Sequence, residues 1–162
     1  MDTLVILKSL RFIPLKYKLP KDYILYFSIK NNQKLQTLCI ALKNKTNLKV
    51  ASIGIYDSSS LFEEYRLSRK FQIKPFDFVH LIKNASFVIT DSYHAICFSI
   101  MFDKRFYIDY NSSNVRITDL LNTLNIDKNS DFYENSFETE KLLQKHVNNS
   151  ISFLKEALEK NE

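Results

Sequence analysis

The sequence predicts an α/β fold: a Rossmann-like parallel sheet with helices on both faces. Short runs of aromatic and β-branched residues, typical of buried strands, alternate along the chain with stretches whose apolar residues recur at helical spacing. Such alternation implies βαβ units, which bring their strands side by side in parallel. The 162 residues contain no internal repeat and are enough for one domain with its own core.

Four strands are predicted from short apolar runs. The first is residues 23–29 (YILYFSI), and the others are residues 48–56, 86–90 and 105–110. Residues 57–70 are predicted to form a polar loop with a short helical turn around residues 61–67.

The predicted helices begin at residues that favour helix starts. Asn31 and Asn32 offer an N-cap for a helix that runs into the polar stretch 43–47, and Pro75 opens the next helix, over residues 75–84. Further helices are expected over residues 93–102, 115–124 and 137–160, the last as one helix or as two broken near Asn148 and Asn149. The apolar stripe of this last helix is interpreted as an ordinary core face, unless the helix packs back across a further domain; its residues are Leu142, Leu143, Val147, Ile151, Leu154 and Leu158.

Ligands of such sheets bind beyond the carboxyl ends of the strands. This rule selects residues 28–30, 56–58, 90–94 and 109–111 as candidate rim residues. The segment Thr90-Asp91-Ser92-Tyr93-His94 is chemically the richest, because hydroxyl, carboxylate and imidazole groups fall within five residues where a strand passes into a helix. Free backbone N–H groups and a protonated imidazole would suit an anion there. Helix capping by Asp91 or Ser92 remains the alternative interpretation.

Composition narrows the class of ligand. The net charge is +5, but the lysines form no long basic run, so a solvated lysine-rich surface is the simplest interpretation. As a functional use of the charge, an anionic small molecule is favoured over nucleic acid. The single glycine, Gly54, argues against a glycine-rich phosphate loop. Cys39 and Cys97 lie in apolar contexts, as buried reduced thiols do, and no spacing of cysteine and histidine indicates a metal site. We therefore expect no cofactor.

Residues 74–95 resemble the signature of the polysaccharide pyruvyl transferase family. In that family a proline-started helix leads into an Ala-x-x-Val-x-Thr-Asp strand end followed by Ser-Phe-His-Gly; here Ser92-Tyr93-His94-Ala95 follows Thr90-Asp91. Residues 98–106 are similar to the family's Phe-Ser-x-x-Phe-x-Lys-x-Phe pattern. Arg116 with Leu120 and Leu121 resembles its Arg-x-x-x-Leu-Leu element, and residues 23–29 resemble its Tyr-x-x-x-Tyr strand.

The resemblance implies half of a GT-B-type fold, in which two Rossmann-like domains face a cleft. We expect an irregular opening segment over residues 1–22 and, over residues 23–162, a Rossmann-like domain similar to the family's C-terminal half, with the N-terminal domain absent. The chain would then act with a separately encoded N-terminal half, or be a truncated, non-catalytic fragment. A third alternative is half of a GT-B glycosyltransferase that uses a nucleotide sugar.

The family activity implied is transfer of pyruvate from phosphoenolpyruvate, as a ketal, to a sugar of a cell-surface polysaccharide. His94 is similar to the family residue that contacts phosphoenolpyruvate, and Thr90, Asp91, Ser92, Tyr93 and Arg116 are expected to bind substrate. The acceptor would be a glycan or glycolipid of exopolysaccharide biosynthesis. Residues 4–7 are an apolar run too short to span a bilayer, so a cytoplasmic location is expected, with peripheral association where glycan precursors are made.

Overall fold

The computed structural model describes residues 18–54, 65–67, 73–109, 115–127, 132–133 and 137–159. These residues form six strands and five helices. The strands are β1 (Tyr23–Phe27), β2 (Lys49–Ile53), β3 (Tyr65–Arg66), β4 (Phe87–Thr90), β5 (Arg105–Tyr107) and β6 (Phe132–Tyr133). The helices are α1 (Gln33–Thr46), α2 (Pro75–Asn84), α3 (Tyr93–Met101), α4 (Val115–Thr123) and α5 (Phe137–Glu159).

The strands form one sheet in the order β3-β2-β1-β4-β5-β6. The first five are parallel, and β6 joins the far edge antiparallel to β5. The parallel part follows the doubly wound order, in which the chain builds outward from β1 in one direction and then returns to build in the other. The Rossmann-like α/β prediction is therefore confirmed.

Helices cover both faces of the sheet because successive residues of β1 point to opposite sides. Tyr23 and Leu25 belong to one core cluster, which also contains buried residues of α2, α3 and α4. Ile24 and Tyr26 belong to a second cluster, closed by α1. All four residues are at most 2% exposed, so β1 is the central strand of the core.

Helix starts follow the predicted caps. The Asn32 side chain accepts a hydrogen bond from the Leu35 N–H at the start of α1 (3.1 Å), which satisfies an otherwise unpaired donor of the first turn. Pro75 opens α2, whose first turn is closed by the Lys74 N–H donating to the Asp77 carboxylate (3.1 Å). The last helix is continuous from Phe137 to Glu159, without a break at Asn148 and Asn149.

Three helix ends use a left-handed backbone without glycine. Asn47 after α1, Asp103 after α3 and Asn125 after α4 have φ values of 56°, 55° and 53°. In this conformation the chain folds back so that N–H groups beyond the helix reach its last carbonyls, as Lys104 does to Ser99 (2.8 Å) and Ile126 to Leu121 (2.8 Å). Asparagine and aspartate tolerate the left-handed region better than other residues with a side chain.

Two short edge strands correct the sequence analysis. Tyr65 and Arg66 were predicted to lie in a polar loop with helical character, but they pair with Ala51 and Ser52 of β2. Arg66 is buried. Its strand conformation comes from pairing with β2 at the edge of the sheet, which the local sequence does not indicate. The strand β6 was not predicted; its Tyr133 ring packs on Phe106, 4.6 Å between ring centres.

Only the first half of α5 packs as predicted. Leu142 and Leu143 contact the larger core cluster. Leu154 and Leu158, however, are 59% and 71% exposed, as is the neighbouring Phe153 at 70%. The interpretation of the whole stripe as a core face is therefore wrong for its last two turns.

Candidate functional site

The strand order places a crevice between β1 and β4. These strands are neighbours, with Phe27 opposite Thr90 at their carboxyl ends, yet their connections leave in opposite directions along the sheet. The helices that follow them diverge, which leaves the space where ligands of doubly wound sheets bind. The predicted rim segments 28–30 and 90–94 meet here, whereas residues 56–58 and 110–111 lie outside the described residues.

The Asp91 carboxylate joins the ends of the two strands. It is 4% exposed. One oxygen accepts from the Ser28 hydroxyl at 2.7 Å, and the other accepts from the Ile29 N–H at 2.8 Å. The charge is thus held by donors of the β1 end, and Asp91 supports the floor of the crevice.

Thr90 and Ser92 shape the turn into α3. The Thr90 hydroxyl accepts from the Ser92 N–H at 3.0 Å, and the Ser92 side chain caps α3 by accepting from the Ala95 N–H at 3.5 Å. Both side chains are buried. Ala95 stands at the position that is glycine in the Ser-Phe-His-Gly motif. It is fully buried in the larger core cluster, so its methyl group faces away from the crevice.

A cluster above this turn consists of the exposed His94 and Arg116 and the half-buried Tyr93. The Tyr93 ring meets the His94 ring edge to face, with 5.7 Å between centres. The Arg116 guanidinium, from the first turn of α4, lies 5.4 Å from the centre of the same Tyr93 ring, a cation–π contact. Although His94 and Arg116 are 22 positions apart in the sequence, both side chains contact the Tyr93 ring.

A groove of about 490 Å³ opens at this cluster. Four of the six predicted site residues line it, namely Ser92, Tyr93, His94 and Arg116; Thr90 and Asp91 lie beneath it. The remaining lining is apolar: Phe27, Ile29, Pro75, Phe78, Val79 and Phe98. The arrangement can hold an anion against the imidazole and guanidinium, beside an apolar wall.

The apolar wall was missed by the sequence analysis. Phe78 packs edge to face on Phe27 (5.1 Å between centres) and on Phe98 (6.2 Å). Phe78 is half-buried, because its ring packs against the larger core cluster and also borders the groove. Periodicity identifies apolar positions and gives no signal that distinguishes a core wall from a groove wall.

Tyr93 is held in its neutral form. A hydrogen bond with the Cys97 side chain, one helical turn further on, is the largest cause that raises the pKa of the Tyr93 phenol above 10.0. Burial in turn raises the pKa of the Cys97 thiol above 9.0. Near neutral pH, therefore, neither group adds negative charge beside Arg116.

Neither a metal-binding cluster nor a membrane-spanning helix is found among the described residues. No group of three or more histidine, cysteine, aspartate or glutamate side chains is arranged there to hold a metal ion. None of the helices in the same residues has the length and apolar character needed to cross a membrane.

Comparison with known proteins identifies the family. The model of the polysaccharide pyruvyl transferase family matches residues 9–113, which is more than half of the 162 residues. The chain matches none of the curated proteins and none of the solved structures with which it was compared. The matched region contains β1 to β5 and the crevice with His94, whereas Arg116 lies just beyond it. On this match, and on the sheet order and crevice that accompany it, the chain belongs to the polysaccharide pyruvyl transferase family.

Proposed function

We propose that the groove beside His94 binds phosphoenolpyruvate and that the chain takes part in transferring its pyruvate unit, as a ketal, to a sugar of a cell-surface polysaccharide. The observation that carries this proposal is the convergence of His94 and Arg116 on one groove at the crevice between β1 and β4. Phosphoenolpyruvate is a small anion with a carboxylate and a phosphate, so two cationic or hydrogen-bond-donating groups suit it.

The chemistry of the proposed reaction implies a role for His94 and one for Arg116. In the reaction, the methylene carbon of phosphoenolpyruvate gains a proton and becomes a methyl group. Two sugar hydroxyls lose their protons and form two C–O bonds to the adjacent carbon, while the bond from that carbon to the phosphate oxygen breaks and phosphate leaves. His94 is positioned to exchange a proton as general acid or base, and Arg116 to hold the carboxylate or phosphate.

The backbone at the start of α3, next to Ser92, adds uncharged hydrogen-bond donors for the anion. Ser92 already caps the Ala95 N–H, and the two N–H groups before it, of Tyr93 and His94, with the positive end of the helix dipole, favour an anion here. The apolar wall of Phe27, Phe78 and Phe98 offers van der Waals contact to the uncharged methylene end of phosphoenolpyruvate.

Calorimetric titration tests the proposal. Phosphoenolpyruvate is titrated into the full chain and into His94→Ala and Arg116→Gln, with His146→Ala, an exposed histidine of α5, as the matched control. Each site variant should weaken binding by roughly tenfold or more, the effect of removing one charge-assisted hydrogen bond, and the control should bind like the parent. Equal binding by parent and both site variants would overturn the assignment.

One observation favours a second candidate. The apolar wall would also suit a nucleotide base, as in a GT-B glycosyltransferase that uses a nucleotide sugar. Titration of UDP and UDP-glucose into the same four proteins separates the two: tighter binding of UDP-glucose than of phosphoenolpyruvate, abolished by Arg116→Gln, would support the glycosyltransferase alternative.

A further inference from the structure

A second groove lies at the opposite edge of the sheet, where β1, β4 and β5 begin. It has a volume of about 520 Å³, close to that of the groove beside His94. Asp22 borders it just before β1, and Ser86 just before β4. The turn from α3 into β5 completes it with Asp103, Lys104 and Arg105.

The lining of this groove is polar and balanced in charge. Among the described residues that line it, Ala85 alone is apolar. The lining contains two carboxylates, two cations, an amide and a hydroxyl; the six polar residues are Asp22, Asn84, Ser86, Asp103, Lys104 and Arg105. Ser86 donates to the Asp22 carboxylate (3.3 Å) and Asn84 to the His80 carbonyl (2.9 Å), which orders part of the lining. The groove therefore presents strong hydrogen-bond acceptors and strong donors side by side.

The same balance disfavours ligands with charge of one sign. A small anion or a divalent cation would meet a pair of like charges as well as a pair of opposite charges, so the lining gives neither a net attraction. An apolar ligand would find little surface to cover. A neutral molecule with many hydroxyl groups suits the lining, because each hydroxyl both donates and accepts a hydrogen bond.

Two of the donors are already partly ordered without a ligand. The Arg105 guanidinium lies 4.6 Å from the centre of the Phe87 ring, which limits its freedom. Lys104 is half-buried, and its burial lowers its pKa, an effect that nearby Lys83 reinforces and Asp103 opposes. A half-dehydrated ammonium group gains from a new acceptor more than an exposed one does.

We propose that this groove is a second binding site, and that it takes a neutral saccharide. It lies at the amino-terminal edge of the sheet, away from His94, so it would hold a segment of glycan without taking part in the transfer reaction. The assignment depends on the groove's own side chains and is independent of whether the groove beside His94 binds phosphoenolpyruvate.

A two-dimensional NMR titration of the full chain tests the site. The probes are neutral tetrasaccharides of glucose, of galactose and of mannose, added separately, with inorganic phosphate as the charged comparison. At least one tetrasaccharide should shift the amide signals of Ser86 and of residues 103–105 at millimolar concentration, whether or not it also shifts those of residues 92–95 as an acceptor sugar. Phosphate should not shift the groove signals.

Matched variants distinguish the site from general surface binding. Asp103→Asn keeps a residue that tolerates the left-handed backbone at φ 55°, and Arg105→Gln replaces the guanidinium with a shorter, neutral amide. Combined, they should weaken saccharide binding by roughly tenfold, as loss of charge-assisted hydrogen bonds does; Asp119→Asn on the exposed face of α4 should leave it unchanged. No groove shifts with any tetrasaccharide, equal shifts in the double variant, or a response to phosphate instead would each overturn the proposal.

Discussion

Asp91 sets the geometry of the crevice at the scale of a single residue. Its carboxylate binds the Ser28 hydroxyl and the Ile29 N–H, so it ties together two strand ends that lie 63 positions apart in the sequence. Hydrogen bonds to a buried charge are stronger than those between neutral groups. The turn that carries His94 thereby keeps a fixed position relative to β1.

Replacing this carboxylate should destabilise the protein. Asp91→Ala leaves the Ile29 N–H without its acceptor and removes the bond from the Ser28 hydroxyl, which keeps the Lys30 carbonyl (2.6 Å) as an acceptor; we expect a loss of about 2 kcal/mol in the free energy of unfolding. Urea denaturation measures it, with the exposed Asp119→Ala as control, expected within ~0.5 kcal/mol of the parent. If both variants unfold at the same urea concentration, the carboxylate does not hold the strand ends together.

The site residues illustrate what local sequence can and cannot predict. The strand-to-helix junction at Thr90–His94 was predicted because an apolar run, a capping residue and an apolar helix follow one another directly. The bonding of Asp91 to Ser28 was not, since nothing near Asp91 in the sequence indicates a partner on another strand. Arg116 was placed by resemblance, and its contact with Tyr93 depends on how α3 and α4 pack.

At the scale of elements, long segments were predicted well and short ones were not. The central strand β1 and helices α2 to α5 are each specified by their own apolar pattern. By contrast, β3 and β6 have two residues each, and both lie at a sheet edge. Two residues carry no periodicity, so their structure follows from the neighbouring strand that pairs with them.

Leucines at the end of α5 and in the core should respond differently to the same substitution. Leu154→Ala and Leu158→Ala remove exposed side chains and should each change the free energy of unfolding by less than ~0.5 kcal/mol. Leu121→Ala, on the buried face of α4, should cost about 2–5 kcal/mol. Thermal or urea unfolding of the three variants provides the comparison; a cost at Leu154 or Leu158 that equals the cost at Leu121 would mean that the end of α5 is covered.

For the molecule as a whole, alkaline pH should weaken the fold. Burial is the main cause that raises the pKa of the Cys39 thiol from 9.0 to about 12 and that of the Tyr26 phenol from 10.0 to about 12. Between these values the unfolded chain loses protons that the folded chain retains. The contribution of these two groups to the free energy of unfolding is therefore fully present below about pH 9. It falls as the pH rises toward 12, by at most ~1.4 kcal/mol per pH unit for each group.

Urea unfolding at several pH values from 7 to 10 tests this dependence. Cys39→Ala removes a titrating group of the smaller core cluster, so its stability, although lower overall, should decline less steeply above pH 9 than that of the parent. Slopes rather than absolute values are compared, because the substitution also leaves a small cavity. Identical slopes would contradict the assignment of the alkaline effect to this thiol.

The left-handed helix ends also affect the unfolded chain. Asn47, Asp103 and Asn125 occupy positions that many proteins give to glycine, and the whole sequence contains one glycine. Each such residue strains the native backbone slightly. A chain without glycine at these positions, however, explores fewer conformations before it folds, so it gives up less backbone entropy on becoming ordered. The strain in the turns is thus partly offset by the stiffness of the disordered polypeptide.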